Sequence, residues 1–151
     1  MNRKKSAALL ALALAFLLIA GCSSGGTAAT WQLDEGLDLD LTKLSSTMVY
    51  SEVFNMRYEP DGYYGKRIRI EGIFSAYQNP YGNEYYFNCI IPDATACCSQ
   101  GLQFFPADDL TYPDDFPEQG ATVTLQGTFS LDENNVYMCA LTDAVIESVQ
   151  E

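Results

Sequence analysis

Apolar and polar residues alternate over five stretches after residue 65, which is the period of a β-strand with one buried face. In the first stretch Ile68 and Ile70 fall on one face, and Arg67 and Glu71 fall on the other. Clusters of Gly, Pro, Asn and Asp separate the stretches, as is typical of turns. We therefore predict strands over residues 66–77, 84–91, 101–105, 121–130 and 136–145.

Before the strands, apolar residues recur with the period of a helix, which predicts one short helix over residues 46–57. Four apolar residues recur there at helical spacing: Met48, Val49, Val53 and Met56. Ser46 is placed to cap the first turn. We expect the helix to end before Pro60, because proline disfavours helical backbone at the residue before it and an Asp-Gly turn follows.

The N-terminus has the order of an export signal. Arg3, Lys4 and Lys5 form a basic start, and residues 7–20 form an unbroken apolar run of 14 residues. A run of that length is ordinary for a signal peptide and short for a membrane-spanning helix.

The end of the apolar run, Leu18-Ile19-Ala20-Gly21-Cys22, resembles the lipobox of bacterial lipoproteins. The resemblance implies that the Cys22 sulfur carries a diacylglyceryl group and that the chain is cut between Gly21 and Cys22. Two acyl chains anchor a protein stably. The resemblance thus implies a lipid-anchored protein on the extracytoplasmic face of the cell membrane.

This resemblance divides the chain into three parts. We predict a signal peptide over 1–21, the lipidated Cys22 with a flexible tether over 22–45, and a folded β-domain over 46–151. Small polar residues dominate the start of the tether, as is typical of linkers. At its end Leu37, Leu39 and Leu41 alternate, which permits one short strand.

Charge and composition exclude several classes of function. The chain has 8 Lys+Arg and 20 Asp+Glu, a net charge of −12, and loss of the three signal-peptide basic residues leaves a balance of −15. Such an acidic protein does not neutralise phosphates, so we expect no nucleic-acid partner. The absence of histidine removes Ser-His-Asp and Cys-His catalysis. No carboxylate pair stands out by its spacing, so we expect no enzyme activity and name no catalytic residue.

Two segments share a glycine pattern. Tyr64-Gly65-Lys66-x-Ile68-x-Ile70-x-Gly72-x-Phe74 is echoed by Gly120-x-x-Val123-x-Leu125-x-Gly127-x-Phe129. The pattern resembles the first and fourth strands of OB-fold domains, whose central glycine lies where the barrel bends. The resemblance covers residues 64–146 and implies a mainly β protein, a small five-stranded OB-like barrel preceded by one short helix. The segment from Cys89 to Cys98, followed by Gly101-Leu-Gln-Phe, resembles small uncharacterised OB-like lipoproteins of Gram-positive anaerobes.

Four cysteines remain once Cys22 is assigned to lipid: Cys89, Cys97, Cys98 and Cys139. Three interpretations stay open, the first being structural disulfides or buried thiols. The second is a thiolate site for zinc or copper, and the third is redox exchange. A bridge between the adjacent Cys97 and Cys98 needs a strained ring. Cys89 and Cys139 fall on strands that flank the same neighbour in an OB barrel.

Tyrosines cluster around the first predicted hairpin, and Tyr81 and Tyr85 are the candidates to face a ligand. Tyrosine rings stack on ligand rings and sugars. Tyrosine is also a common strand residue, so a purely structural cluster stays open.

These features predict a non-enzymatic binding or interaction module at the cell envelope, without a cofactor. Its expected partners are the membrane, through the lipid anchor, and an envelope protein, a peptide or a glycan. The alternative is a cysteine-thiolate metal-binding lipoprotein associated with a transporter. The segment around the adjacent Cys97 and Cys98 is similar to one in extracytoplasmic domains of some metal-linked permease subunits.

Overall fold

The computed structural model describes residues 36–132 and 135–150 of the chain. Within them the protein is mainly β, as predicted, with one six-stranded sheet and one α-helix. Single 3-10 turns at Leu41–Lys43 and Pro60–Gly62 flank the helix. In chain order the elements are β1 (Leu39–Asp40), α1 (Ser46–Tyr58), β2 (Arg67–Gln78), β3 (Tyr85–Pro92), β4 (Ser99–Pro106), β5 (Thr122–Asp132) and β6 (Asn135–Gln150).

The five long strands lie where alternation predicted them, because each buries one face. The bounds of β2 to β5 agree with the prediction to within two residues. The strand β6 is the exception, since it continues to Gln150 instead of ending at residue 145. Its last residues pair with the start of β5, for example Gln150 with Thr122. Residues 147–150 are exposed, and the apolar Ile146 and Val149 are three residues apart, so no period-two alternation marks this end in the sequence.

The long strands pair in a ring. The order is β2–β3–β4–β6–β5, and β5 returns to pair with β2. The pairing of β4 with β6 is parallel, and the other four pairings are antiparallel. The strand β2 serves two neighbours in succession: residues 67–73 pair with β5 and residues 73–78 pair with β3. The short β1 pairs in parallel with the start of β2, which makes six strands where we predict five.

Two glycines allow neighbouring strands of the ring to approach closely. A Cβ atom on Gly72 would lie 2.5 Å from the Cys89 sulfur and 2.9 Å from the Ile90 carbonyl oxygen. A Cβ atom on Gly127 would lie 3.0 Å from the Leu141 Cβ. These are the two central glycines of the repeated sequence pattern, and a side chain there would require atoms of the neighbouring strand to shift.

Helix α1 buries a narrow apolar stripe made of Val49, Val53 and Met56. We predict Met48 on the same face, but Met48 is 52% exposed. It precedes Val49 by one residue, which turns its side chain by about 100° around the helix axis. The predicted cap at Ser46 is also wrong. The N-cap is Ser45, and its side chain makes no capping hydrogen bond.

Residues before α1 belong to the packed domain. Leu37, Asp40 and Leu41 are buried, although we predict a flexible tether up to residue 45. The alternating leucines explain the difference, because they bring Leu41 into the core cluster and allow β1 to form. The end of the predicted tether is therefore structured, and the packed domain begins before residue 46.

The connection between β4 and β5 adds aromatic rings to the core. Phe116 stacks on Phe87 with 4.1 Å between ring centroids, and Tyr112 lies 5.8 Å from the same ring. Phe74 and Phe104 complete the group from β2 and β4. This acidic connection therefore contributes apolar side chains as well as charge, and it supports the start of β3.

Candidate functional site

Two of the four candidate cysteines are buried in the core. Burial raises the pKa of Cys89, in β3, to about 12, and the nearby Glu71 carboxylate adds to the effect. The Cys139 thiol, in β6, donates a hydrogen bond to the Met56 carbonyl oxygen at 3.2 Å, and burial raises its pKa as well. Both belong to one hydrophobic cluster and both are free thiols. In this structure they pack as small apolar residues.

The other two cysteines lie exposed in the turn between β3 and β4, where Asp93 joins them. The Cys97 thiol donates to Oδ2 of Asp93 at 3.2 Å, and the Cys97 and Cys98 sulfurs are 3.7 Å apart. One ligand atom from each of the three residues lies within 4.8 Å of the others. Within residues 36–132 and 135–150 no other three metal-ligating side chains converge so closely. We call Asp93, Cys97 and Cys98 the thiolate turn.

Asp93 organises this turn through its side chain. Its Oδ1 accepts hydrogen bonds from the amides of Thr95 and Cys97, at 3.1 and 3.0 Å. Ala96 has a φ of 54°, which is uncommon outside glycine and turns the Cys97 amide back towards Asp93. The bond from the Cys97 thiol is the main cause that lowers the pKa of Asp93, and the same thiol raises the pKa of Cys98.

Sequence reasoning identified both cysteines of the thiolate turn and missed Asp93. A signal was present, because an Asp side chain in a turn commonly accepts a hydrogen bond from the backbone amide two residues on. Such a turn folds Asp93 back over Cys97, four residues on. The candidates Cys89 and Cys139 are not brought into this group.

Tyr81 and Tyr85 lie on the hairpin that joins β2 to β3. Tyr81 is in the loop, where its amide bonds the Asn79 side chain at 3.0 Å and its side chain is 97% exposed. Tyr85 begins β3, and its ring centroid is 4.5 Å from that of Tyr112. Tyr85 remains 38% exposed. The hairpin therefore brings both candidates to one end of the sheet, with Tyr81 at the tip.

A second tyrosine pair lies on the other face of the same hairpin. Tyr77 of β2 and Tyr86 of β3 are cross-strand partners, with 5.2 Å between ring centroids. Successive strand residues point to opposite faces, so Tyr85 and Tyr86 lie on opposite faces. Tyrosines thus cover the tip and both faces. We call Tyr77, Tyr81, Tyr85 and Tyr86 the tyrosine hairpin.

A cleft of about 730 Å³ lies beside α1, and nothing in the sequence indicated it. Acidic side chains line much of it, namely Asp38, Glu52, Glu59 and Asp61. The Tyr63 hydroxyl donates to Glu52 at 2.6 Å, and burial together with this bond raises the pKa of Tyr63 to about 12. The Tyr63 ring also meets Phe129 edge-on. Tyr63 thus links α1 to the core across the cleft, which is a structural role.

The predicted signal peptide and Cys22 lie outside the described residues. No helix in the described part of the chain is long and apolar enough to cross a membrane. Comparisons with protein-family models, curated proteins and solved structures found no match. The tyrosine hairpin and the thiolate turn are the two candidate sites in the described part of the chain.

Proposed function

We propose that the protein is a lipid-anchored extracytoplasmic binding module that contacts its ligand through the tyrosine hairpin. The order of basic residues, apolar run and Leu18-Ile19-Ala20-Gly21-Cys22 supports the anchor. The mature balance of −15 supports a lipid anchor over charge attraction, because anionic headgroups repel an acidic body. We propose no catalytic activity for the domain.

We propose further that the ring of strands is an OB-type barrel. In that fold strand three lies between strands two and five, and strands one and four close the barrel. The pairings of β2 to β6 support the assignment. The strand β4 lies between β3 and β6, and β2 pairs with β5. The close contacts at Gly72 and Gly127 add support, since they fall on the strands that carry the OB-like glycine pattern.

An oligosaccharide is the ligand that this assignment favours. OB folds bind oligonucleotides and oligosaccharides at the face of strands two and three and at the loop between strands one and two. That loop corresponds to residues 79–84 and carries Tyr81. The acidity of the chain disfavours an oligonucleotide. Tyrosine rings stack on the apolar faces of sugars, and the 97% exposure of Tyr81 is the observation that carries the proposal.

A binding measurement on a panel of immobilised neutral oligosaccharides and envelope glycan fragments tests the ligand class. We expect Tyr81→Ala to weaken binding about tenfold or more, the loss typical of an aromatic anchor. Tyr64→Ala is the matched control, because Tyr64 is 67% exposed and lies outside the tyrosine hairpin. Absence of glycan binding, or an equal loss in the control, would refute the proposal. Binding of peptides alone would assign the hairpin to a protein partner.

Labelling of growing cells with a fatty acid tests the anchor separately. The wild-type protein should take up the label and sediment with membranes, and Cys22→Ala should take up none. Cys98→Ala is the control, because it removes an exposed cysteine of the folded domain. Membrane association of an unlabelled, uncleaved wild-type chain would contradict lipidation.

A further inference from the structure

The thiolate turn is a second cluster of exposed side chains, separate from the tyrosine hairpin. It lies at the end of β3, whereas the tyrosine hairpin lies at the start of the same strand. We propose that Asp93, Cys97 and Cys98 bind one soft divalent cation of the zinc type and leave its fourth coordination position open. This site goes beyond the binding module proposed above, since it uses other residues and another ligand.

The distance between the two sulfurs suits a tetrahedral cation. Two thiolates on one tetrahedral zinc, with bonds of about 2.3 Å, lie about 3.8 Å apart. The Cys97 and Cys98 sulfurs are 3.7 Å apart before any cation binds. A linear arrangement with the same bond length needs about 4.6 Å. The turn therefore fits tetrahedral coordination with little movement of the sulfurs.

The Asp93 carboxylate is close enough to be the third ligand, since its oxygen lies within 4.8 Å of both sulfurs. With bonds of about 2.1 Å to oxygen and about 2.3 Å to sulfur, the two ligand atoms lie about 3.6 Å apart. Oδ2 of Asp93 is 3.2 Å from the Cys97 sulfur, where the thiol proton now lies between them. Replacement of that proton by a cation requires a separation larger by a few tenths of an ångström.

The types of ligand atom select the class of cation. Thiolates favour zinc and other soft or borderline cations, whereas calcium requires six to eight oxygens. One carboxylate and two sulfurs exclude a calcium site. The chain contains no histidine, so sulfur and carboxylate are the zinc ligands its side chains offer.

The hydrogen bonds that shape the turn are already formed without a cation, so little backbone ordering has to accompany cation binding. The Asp93 amide bonds the Cys98 carbonyl oxygen at 2.9 Å, and the Asp93 side chain bonds two further amides. Cys97 and Cys98 are both exposed, so the fourth position faces solvent. A site with three protein ligands and an open position exchanges ligands more readily than a closed structural site. That property suits a protein that presents a cation to a partner.

A metal titration of the reduced, chelator-treated full-length protein tests the site. Zinc is added in competition with a chromophoric chelator, and cadmium is added in a parallel titration that follows the ultraviolet sulfur-to-cadmium charge-transfer band. We expect one equivalent of either cation per chain, and a cadmium band that requires both Cys97 and Cys98. Loss of a residue that only supports a metal ligand typically weakens binding about 10- to 100-fold. Cys97→Ser and Cys98→Ser each remove a proposed ligand itself, so each should weaken zinc binding by more than that.

Two further variants separate loss of a ligand from loss of the turn. Asp93→Asn keeps an oxygen for the amides of the turn and removes the charged ligand, so it should weaken binding at least about 10-fold. Ser99→Ala removes an exposed side chain next to Cys98 that is not a proposed ligand, and binding should be unchanged. Stoichiometric binding that survives the Cys97→Ser/Cys98→Ser double substitution would overturn the proposal. So would absence of zinc and cadmium binding, or a Cys97–Cys98 disulfide in protein isolated from cells without reductant.

Discussion

Arg69 of β2 reaches Asp40 of β1, with 3.3 Å between its Nη1 and the carboxylate Oδ2. The same guanidinium lies 2.8 Å from Glu147 of β6 through its Nε. The Asp40 and Arg69 side chains are only 5% and 18% exposed, so solvent screens this pair less than an ordinary surface pair. The ion pair between Asp40 and Arg69 holds the segment before α1 against the sheet.

Substitution Asp40→Asn should lower the free energy of unfolding by about 1–3 kcal/mol, the usual cost when a buried polar group loses its partner. The amide oxygen still accepts from Thr42, which now bonds Oδ1 of Asp40, so the charge on Asp40 is what changes. Urea unfolding measures the difference. The exposed Asp61→Asn is the control and should stay within about 0.5 kcal/mol of wild type. Equal stabilities of the two variants would refute the role of Asp40.

Substitution Gly72→Ala should cost about 1–3 kcal/mol, because the new methyl group would overlap the Cys89 sulfur and the Ile91 side chain. Gly62→Ala is the matched control, since no atom lies within 4 Å of a Cβ at that position. Thermal unfolding measures both. Adding Cys89→Ala to Gly72→Ala should make the loss smaller than the sum of the two single losses. If the loss in the double variant equals the sum of the two single losses, the Cys89 sulfur does not limit the space for a side chain at position 72.

Alkylation of the reduced, folded domain should modify Cys97 and Cys98 quickly, because both thiols are exposed. Cys89 and Cys139 should react at least about 1,000-fold more slowly, since they are reached only through the small fraction of opened molecules. Burial also keeps the Cys89 thiol protonated, with a pKa of about 12. Mass spectrometry of peptides against time measures each site. Rapid native labelling of Cys89 would contradict the buried position.

Tyr63 should make stability depend on pH in the alkaline range. Its pKa is raised from 10.0 to about 12 in the folded protein, first by burial and then by the bond to Glu52. The unfolded chain therefore loses this proton first, so the contribution of Tyr63 is complete below pH 10.0 and declines as the pH rises towards 12. When the pH rises from about 8 to about 11, the free energy of unfolding should decrease less for Tyr63→Phe than for the wild-type protein. Tyr64→Phe is the control, and it should follow the wild-type profile.

Local sequence patterns predicted much of the fold. Alternation located β2 to β5 because a strand with one buried face repeats every two residues, whatever it pairs with. The buried stripe of α1 followed from the same kind of local rule. The end of β6 and the start of the packed domain did not follow from a local rule. The last residues of β6 lack period-two alternation, and they form a strand because β5 lies beside them.

The candidate site was only partly predictable for the same reason. The sequence by itself determined the basic start, the apolar run with its cysteine, the acidity and the four remaining cysteines, because these are properties of composition and spacing. Tertiary structure decided which cysteines are buried and which are exposed. Cys89 faces the core because β3 pairs with β2 and β4, and Cys97 meets Asp93 because the turn between β3 and β4 closes around its side chain. Burial depends on contacts between segments distant along the chain, which no local pattern contains.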